Sequence, residues 1–166
     1  MESAIWGLLG AIVGASASIA AAWLAARSSY EVQRAKASDE RAERANAFQR
    51  QTLLDLQEAI HDALRLVARA HIEDTDAHGA TKEWGKNMLS DEVNEGVRVA
   101  QRRVAILIER VADDQLRASV KALMETAAGA LLARSAREAN FHMEAISKET
   151  EQVFGGIGTV LRRHLE

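Results

Sequence analysis

The side chains with the most chemical potential gather at one place in this sequence. The run His71-x-Glu73-Asp74-x-Asp76-x-His78 sets five potential ligands within eight residues, and carboxylates mixed with imidazoles suit a divalent cation. His71, Glu73, Asp76 and His78 are therefore the candidate metal ligands. The run lacks the ordered ligand and glycine positions of an EF-hand, and a solvated acidic helix-to-loop transition accounts for it equally. Glu58-Ala-Ile-His61 has the Glu-x-x-His spacing that di-iron bundles turn inward. Such a site needs a second copy of the motif and two more glutamates, which the sequence does not supply. Glu138 and His142, four residues apart, read as a surface contact rather than a ligand set.

Other chemistry is excluded more firmly. The chain has no cysteine, so disulfides, thiolate metal sites and cysteine nucleophiles are absent. No G-x-S-x-G elbow, phosphate loop or dinucleotide fingerprint occurs. Gly155-Gly156-Ile157-Gly158 lies in a helical pattern without a preceding strand, which suits close helix packing or a local break. Arg102-Arg103 and Arg162-Arg163 are short basic pairs on mixed faces. A formal net charge of −3 gives no electrostatic footprint for nucleic acid. The expectation is a protein that is not an enzyme, holds no cofactor and binds no nucleic acid.

The elements that position these groups are helices. The 166 residues include no proline, 48% are hydrophobic and 27% charged, a globular balance that excludes disorder. The charge is unevenly placed, because residues 3–26 carry none. These 24 residues, at roughly 1.5 Å each, span about 36 Å as a helix, against a hydrocarbon core of roughly 30 Å. Trp6 and Trp23 stand near its ends, where interfacial aromatics belong. The expectation is a transmembrane anchor over 1–26. A cleavable signal peptide, cut near Ala20–Ala22, and a buried core helix are the alternatives. Arg27, Arg34, Lys36, Arg41 and Arg44 follow the segment, so the positive-inside rule places the N-terminus outside and the remainder in the cytoplasm, at the inner or plasma membrane. Gly10, Gly14, Ser18 and Ala22 recur every fourth residue, with Gly7, Ala11 and Ala15 alongside. Small rows of this kind let membrane helices pack. Gly7, Gly10, Gly14 and Ser18 are the candidate packing positions for a homo-oligomer or another membrane protein.

Residues 27–47 contain good helix formers, favourable pairs such as Glu40 with Arg44, and almost no apolar stripe. They read as a solvent-bridging stalk about 30 Å long that continues the membrane helix. Residues 48–166 form the domain proper. Phe48, Leu53, Leu56, Ile60, Ala63, Val67 and Ala70 follow the three-four spacing of a buried face. Residues 74–89, with Gly79 and Gly85, read as the one long connection, with Trp84 and Met88 tucked against the domain. Ser90 with Asp91 and Glu92 opens a second helix. Asp113-Asp114 marks a turn and a third, and the capping box Ser135-x-x-Glu138 a fourth carrying Phe141, Ile146, Val153 and Ile157. Helices over 46–72, 90–112, 114–134 and 136–165 predict an all-α chain with an antiparallel four-helix bundle. A coiled-coil oligomer is the alternative.

On this plan, and on stretches such as Phe48-Gln-Arg-Gln-Thr-Leu-Leu-Asp-Leu-Gln57, the chain resembles small bacterial single-pass membrane proteins with an N-terminal anchor and a helical cytosolic domain. The resemblance implies an architecture and no activity. The functional expectation is a membrane-anchored interaction or scaffold module. A regulatory component coupling the membrane helix to the bundle, and a metal-binding bundle, are the alternatives.

Overall fold

A computed structural model describes residues 2–85 and 88–163; over residues 2–20 it describes the backbone, with surroundings given only at Gly14 and Ser18. The described residues form helices and connections, without strands: α1 (Glu2–Thr81), α2 (Asp91–Ile108), α3 (Asp114–Leu131) and α4 (Ala136–Arg163). The chain divides into two units, Met1–Ala45 and Asn46–Glu166. In the first, residues 21–45 are exposed on every side. Their helix is supported by local pairs, Arg27 with Glu31 at 3.3 Å and the expected Glu40 with Arg44 at 3.1 Å.

Among the described residues, no helix is long and apolar enough to cross a membrane. The segment expected to span the bilayer, with Trp6, Gly7 and Gly10, lies mostly on side chains outside the described residues. The spanning helix thus finds no support there, although the backbone is helical from Glu2 onward. Gly14 has no neighbour that an added Cβ would meet.

The second unit is a bundle with a main core and a smaller cluster of Ala70, Val93 and Val97 between α1 and α2. Leu53, Leu56, Ile60, Ala63, Val67 and Ala70 of α1 are all buried, as the spacing predicts. All but Ala70 meet Ala100, Val104 and Leu107 of α2, Leu116, Val120, Leu123 and Ala127 of α3, and Ile146, Val153, Ile157 and Val160 of α4. Neighbouring helices run antiparallel. Arg69 bonds to Glu92 (3.1 Å) and Arg103 to Glu58 (3.0 Å) between α1 and α2. Thr126 bonds to Glu149 (3.1 Å) between α3 and α4. Gly129 admits the His142 imidazole, which a Cβ there would meet at 2.7 Å, and Gly156 lies against Leu116. The helix α4 runs through Gly155, Gly156 and Gly158 without a break, and of the three only Gly156 packs against a neighbouring helix.

Two expected core residues prove to be exposed. Phe48 is 53% exposed and Phe141 69% exposed. Continuing the α1 row backward from Leu53 by four residues reaches Gln49, not Phe48. Continuing the α4 row backward from Ile146 by seven reaches Ala139, which is fully buried. Gln49 fills its core-row position by bonding: its Nε2 donates to the Arg110 carbonyl (3.0 Å), and its Oε1 accepts from the Ala112 amide (3.1 Å). One side chain thereby satisfies both a donor and an acceptor in the turn between α2 and α3.

The helix boundaries also shift. The first helix extends to Thr81 rather than ending near 72, and the connection is shorter than the expected 74–89. Thr75 and Thr81 hydroxyls bond the carbonyls of His71 and Ala77 within the added turns. Lys82, at φ 61°, ends the helix by donating its amide to the His78 carbonyl. The second helix stops at Ile108, short of the expected 112. Asp113 then caps α3, its carboxylate accepting from the Leu116 amide at 2.8 Å.

The rows make a testable distinction. Leu56→Ala should cost about 2–5 kcal/mol of unfolding free energy, and Phe48→Ala less than about 1 kcal/mol. Gln49→Ala should cost less than Leu56→Ala, about 0.5–1.5 kcal/mol, because water can reach the two turn groups it bonds. Denaturant titration followed by far-ultraviolet circular dichroism measures all three.

Candidate interaction surface

The candidate metal ligands diverge in the folded chain. His71 and His78 are seven residues apart, two helical turns, and bracket Trp84 of the α1–α2 connection. The ring centroids lie 5.9 and 5.7 Å from the indole. Trp84 Nε1 donates to the Ala133 carbonyl at 3.1 Å, which ties the connection to the end of α3. Glu73 stands about 200° around the helix from His71, and its two oxygens accept from the Ser90 amide (3.0 Å) and hydroxyl (2.9 Å). Asp76 is exposed. Among the described residues, no group of three ligand side chains comes together. Glu58 is engaged with Arg103, and His61 is exposed. Glu138 accepts from the Arg134 amide at 2.8 Å while His142 turns to Gly129, so these two do not pair.

Ser90 departs from its expected role. It precedes α2 but makes no side-chain cap bond there, and its hydroxyl donates to Glu73. These two bonds hold the Glu73 carboxyl below the ordinary glutamate range. Burial pushes the adjacent Asp74 carboxyl up, against the pull of nearby His71. Glu73 therefore stabilises the connection above the ordinary glutamate range, and its contribution is lost as pH falls through its lower folded value. Asp74 acts in the opposite sense, favouring the folded chain at low pH and losing that contribution as pH rises through its raised value. Met88, expected to tuck inward, is 90% exposed.

The surface best suited to recognition lies on α2. This helix makes closer ion-paired contact with α1 than packing contact with α3, and α3 packs far more intimately on α4. Between α2 and α3 a groove of ≈ 360 Å³ remains open. Val104, Ile108, Met124 and Ala128 line its apolar floor, and Lys121 and Glu109, paired at 3.1 Å, form part of its rim. An apolar groove with a few convergent polar groups is a binding-site geometry. Sequence reading missed it because Ala105 and Ala128 look like ordinary helix formers. Their small size where α2 faces α3 is the only signal that could have shown it.

No family model, curated protein or solved structure matches this chain.

Two measurements test these assignments. The Ser90 amide proton resonance should titrate with a midpoint below the ordinary glutamate range, and Glu73→Gln should abolish that titration. In a double-mutant cycle, Gly129→Ala should stabilise the bundle more when His142 is already Ala. The roughly 1 kcal/mol of helix propensity gained is then no longer offset by displacing the imidazole.

Proposed function

We propose that the chain is a membrane-anchored helical interaction module. In this reading residues 3–26 insert in the bilayer, residues 27–47 act as a charged spacer, and the bundle engages a protein partner in the cytoplasm. The small row Gly7, Gly10, Gly14 and Ser18 is where the membrane helix would pair with a second copy or another membrane protein.

The observation that supports it best is the single helix α1 (Glu2–Thr81). Along one backbone it carries an uncharged segment, then a stretch exposed on every side, then the core row of the bundle. A helix exposed all round is solvent-bridging. The transition carries interfacial features, with Arg27 over the Trp23 ring at 5.7 Å from its centroid. The open α2–α3 groove, with an apolar floor and a rim that includes the Lys121–Glu109 pair, suits docking of another chain. The same unbroken helix favours a second reading, a regulatory component in which association of the N-terminal segment alters the bundle.

A reporter fused to the C-terminus, with intact mass measured in membrane fractions, tests the anchor. A cytoplasmic reporter with residues 1–26 retained is expected. An exported reporter, or cleavage near Ala22, overturns the topology. The double substitution Gly10→Leu with Gly14→Leu should weaken cross-linked dimers in detergent, and unchanged dimer yield would remove the pairing role of that row.

A further inference from the structure

The face that α2 turns away from the core carries two large apolar side chains, Val99 and Ile106, 58% and 52% exposed. Arg102 lies between them, and the three-four spacing places all three along one side of the helix. Shallow troughs run beside them. One of ≈ 310 Å³ lies toward α1, where Asp55, Arg103 and Leu107 contribute; another of ≈ 480 Å³ is bounded by Glu95, Arg98 and Ala105. Exposed valine and isoleucine on a solvent face add nothing to the core, and two of them flanking a cation form a compact amphipathic patch.

The charges around the patch are unequally satisfied. Arg103 is held by Glu58 (3.0 Å) and Asp62 (3.7 Å) across the α1–α2 seam. Arg98 pairs with Glu95 (3.1 Å) in a solvent-exposed contact that contributes little and exchanges readily. Asp55 accepts a hydrogen bond from Gln51 (2.8 Å). Among the described residues, Arg102 has no ion pair.

We propose that this face docks an amphipathic helix of a partner protein, one presenting two apolar side chains about two turns apart with Asp or Glu between them. The proposal rests on the interaction-module reading and names the partner's chemistry. Val99 and Ile106 take the apolar anchors, and Arg102 takes the carboxylate in a bidentate pair. A second copy of the chain fits poorly. Two-fold pairings that match the apolar residues, parallel or antiparallel, bring Arg102 up against its own copy across the axis. Either arrangement desolvates like charges in contact.

The test places a photoreactive side chain at Val99, and separately at Met124 in the α2–α3 groove, in the full chain within the cells that produce it. Linked peptides are then sequenced by mass spectrometry. The Val99 probe should link to a foreign helical segment with Asp or Glu within one turn of the linked residue. Arg102→Glu should lower that yield by about tenfold or more, and Arg102→Lys should retain most of it. Circular dichroism checks that each variant keeps the fold. Links to a second copy of this chain or to lipid, an undiminished yield in Arg102→Glu, or no product at Val99 overturn the proposal. Silence at Val99 with protein links at Met124 leaves the interaction module standing without this docking face. Silence at both positions removes both.

Discussion

The bundle depends on one constraint, the strict alternation of three- and four-residue steps along the C-terminal part of α1. From Leu53 to Ala70 every step lands on a residue at or near zero exposure, and the other three helices each contribute side chains to the same cluster. Residues on a 3.6-residue repeat can share one stripe only if the phase never slips. A single displaced position would turn the stripe from α3 and α4 toward solvent. Gln49 shows how far the phase is kept: where the row demands an inward residue at the turn between α2 and α3, a polar side chain satisfies the backbone there instead of packing.

The two seams beside α1 and α4 are built differently. Between α3 and α4, small residues and Gly129 allow a close approach, and the polar pair Thr126–Glu149 lies within the contact. Between α1 and α2 small apolar residues pack, Ala70 with Val93 and Val97 and Gly96 against Leu66, with exposed guanidinium–carboxylate pairs at the surface. Such pairs are weak singly and screened by salt. The connection between these helices is fixed at its far end by Trp84, bracketed by two imidazoles, and by Glu73 holding Ser90.

Much of this was legible in the sequence. Absent proline, sustained three-four spacing and the Asp113 and Ser135 caps located four helices and most of the core. The failures share a physical cause. Phe48 and Phe141 extend their rows only by steps of five, whereas phase points to Gln49 and Ala139. Phase, not hydrophobicity, decides burial on a helix. Residues 74–81 looked like a loop from composition, yet tertiary packing of Trp84 on His71 and His78 accompanies extra turns that propensity alone would not support. Glu73 and Ser90 could not be paired from sequence, because their contact spans the connection. The α2–α3 groove was invisible for the opposite reason: an alanine reads alike whether it is packed or bordering a gap. The character of residues 3–26 remains a reading of the sequence.

The make-up of α2 has a consequence for cooperativity. Its inward row is valine, alanine and a single leucine before Ile108, with Gly96 in its first half. β-Branched residues and glycine are weak helix formers. Its flank toward α3 is open, and its contact with α1 is made by small apolar side chains, with Gly96 against Leu66, and by ion pairs at the surface. Local free energy is therefore unevenly distributed, and α2 is the segment expected to open sub-globally while α3 and α4 stay closed. A bundle of this kind behaves as a firm helical hairpin carrying a more labile third rib.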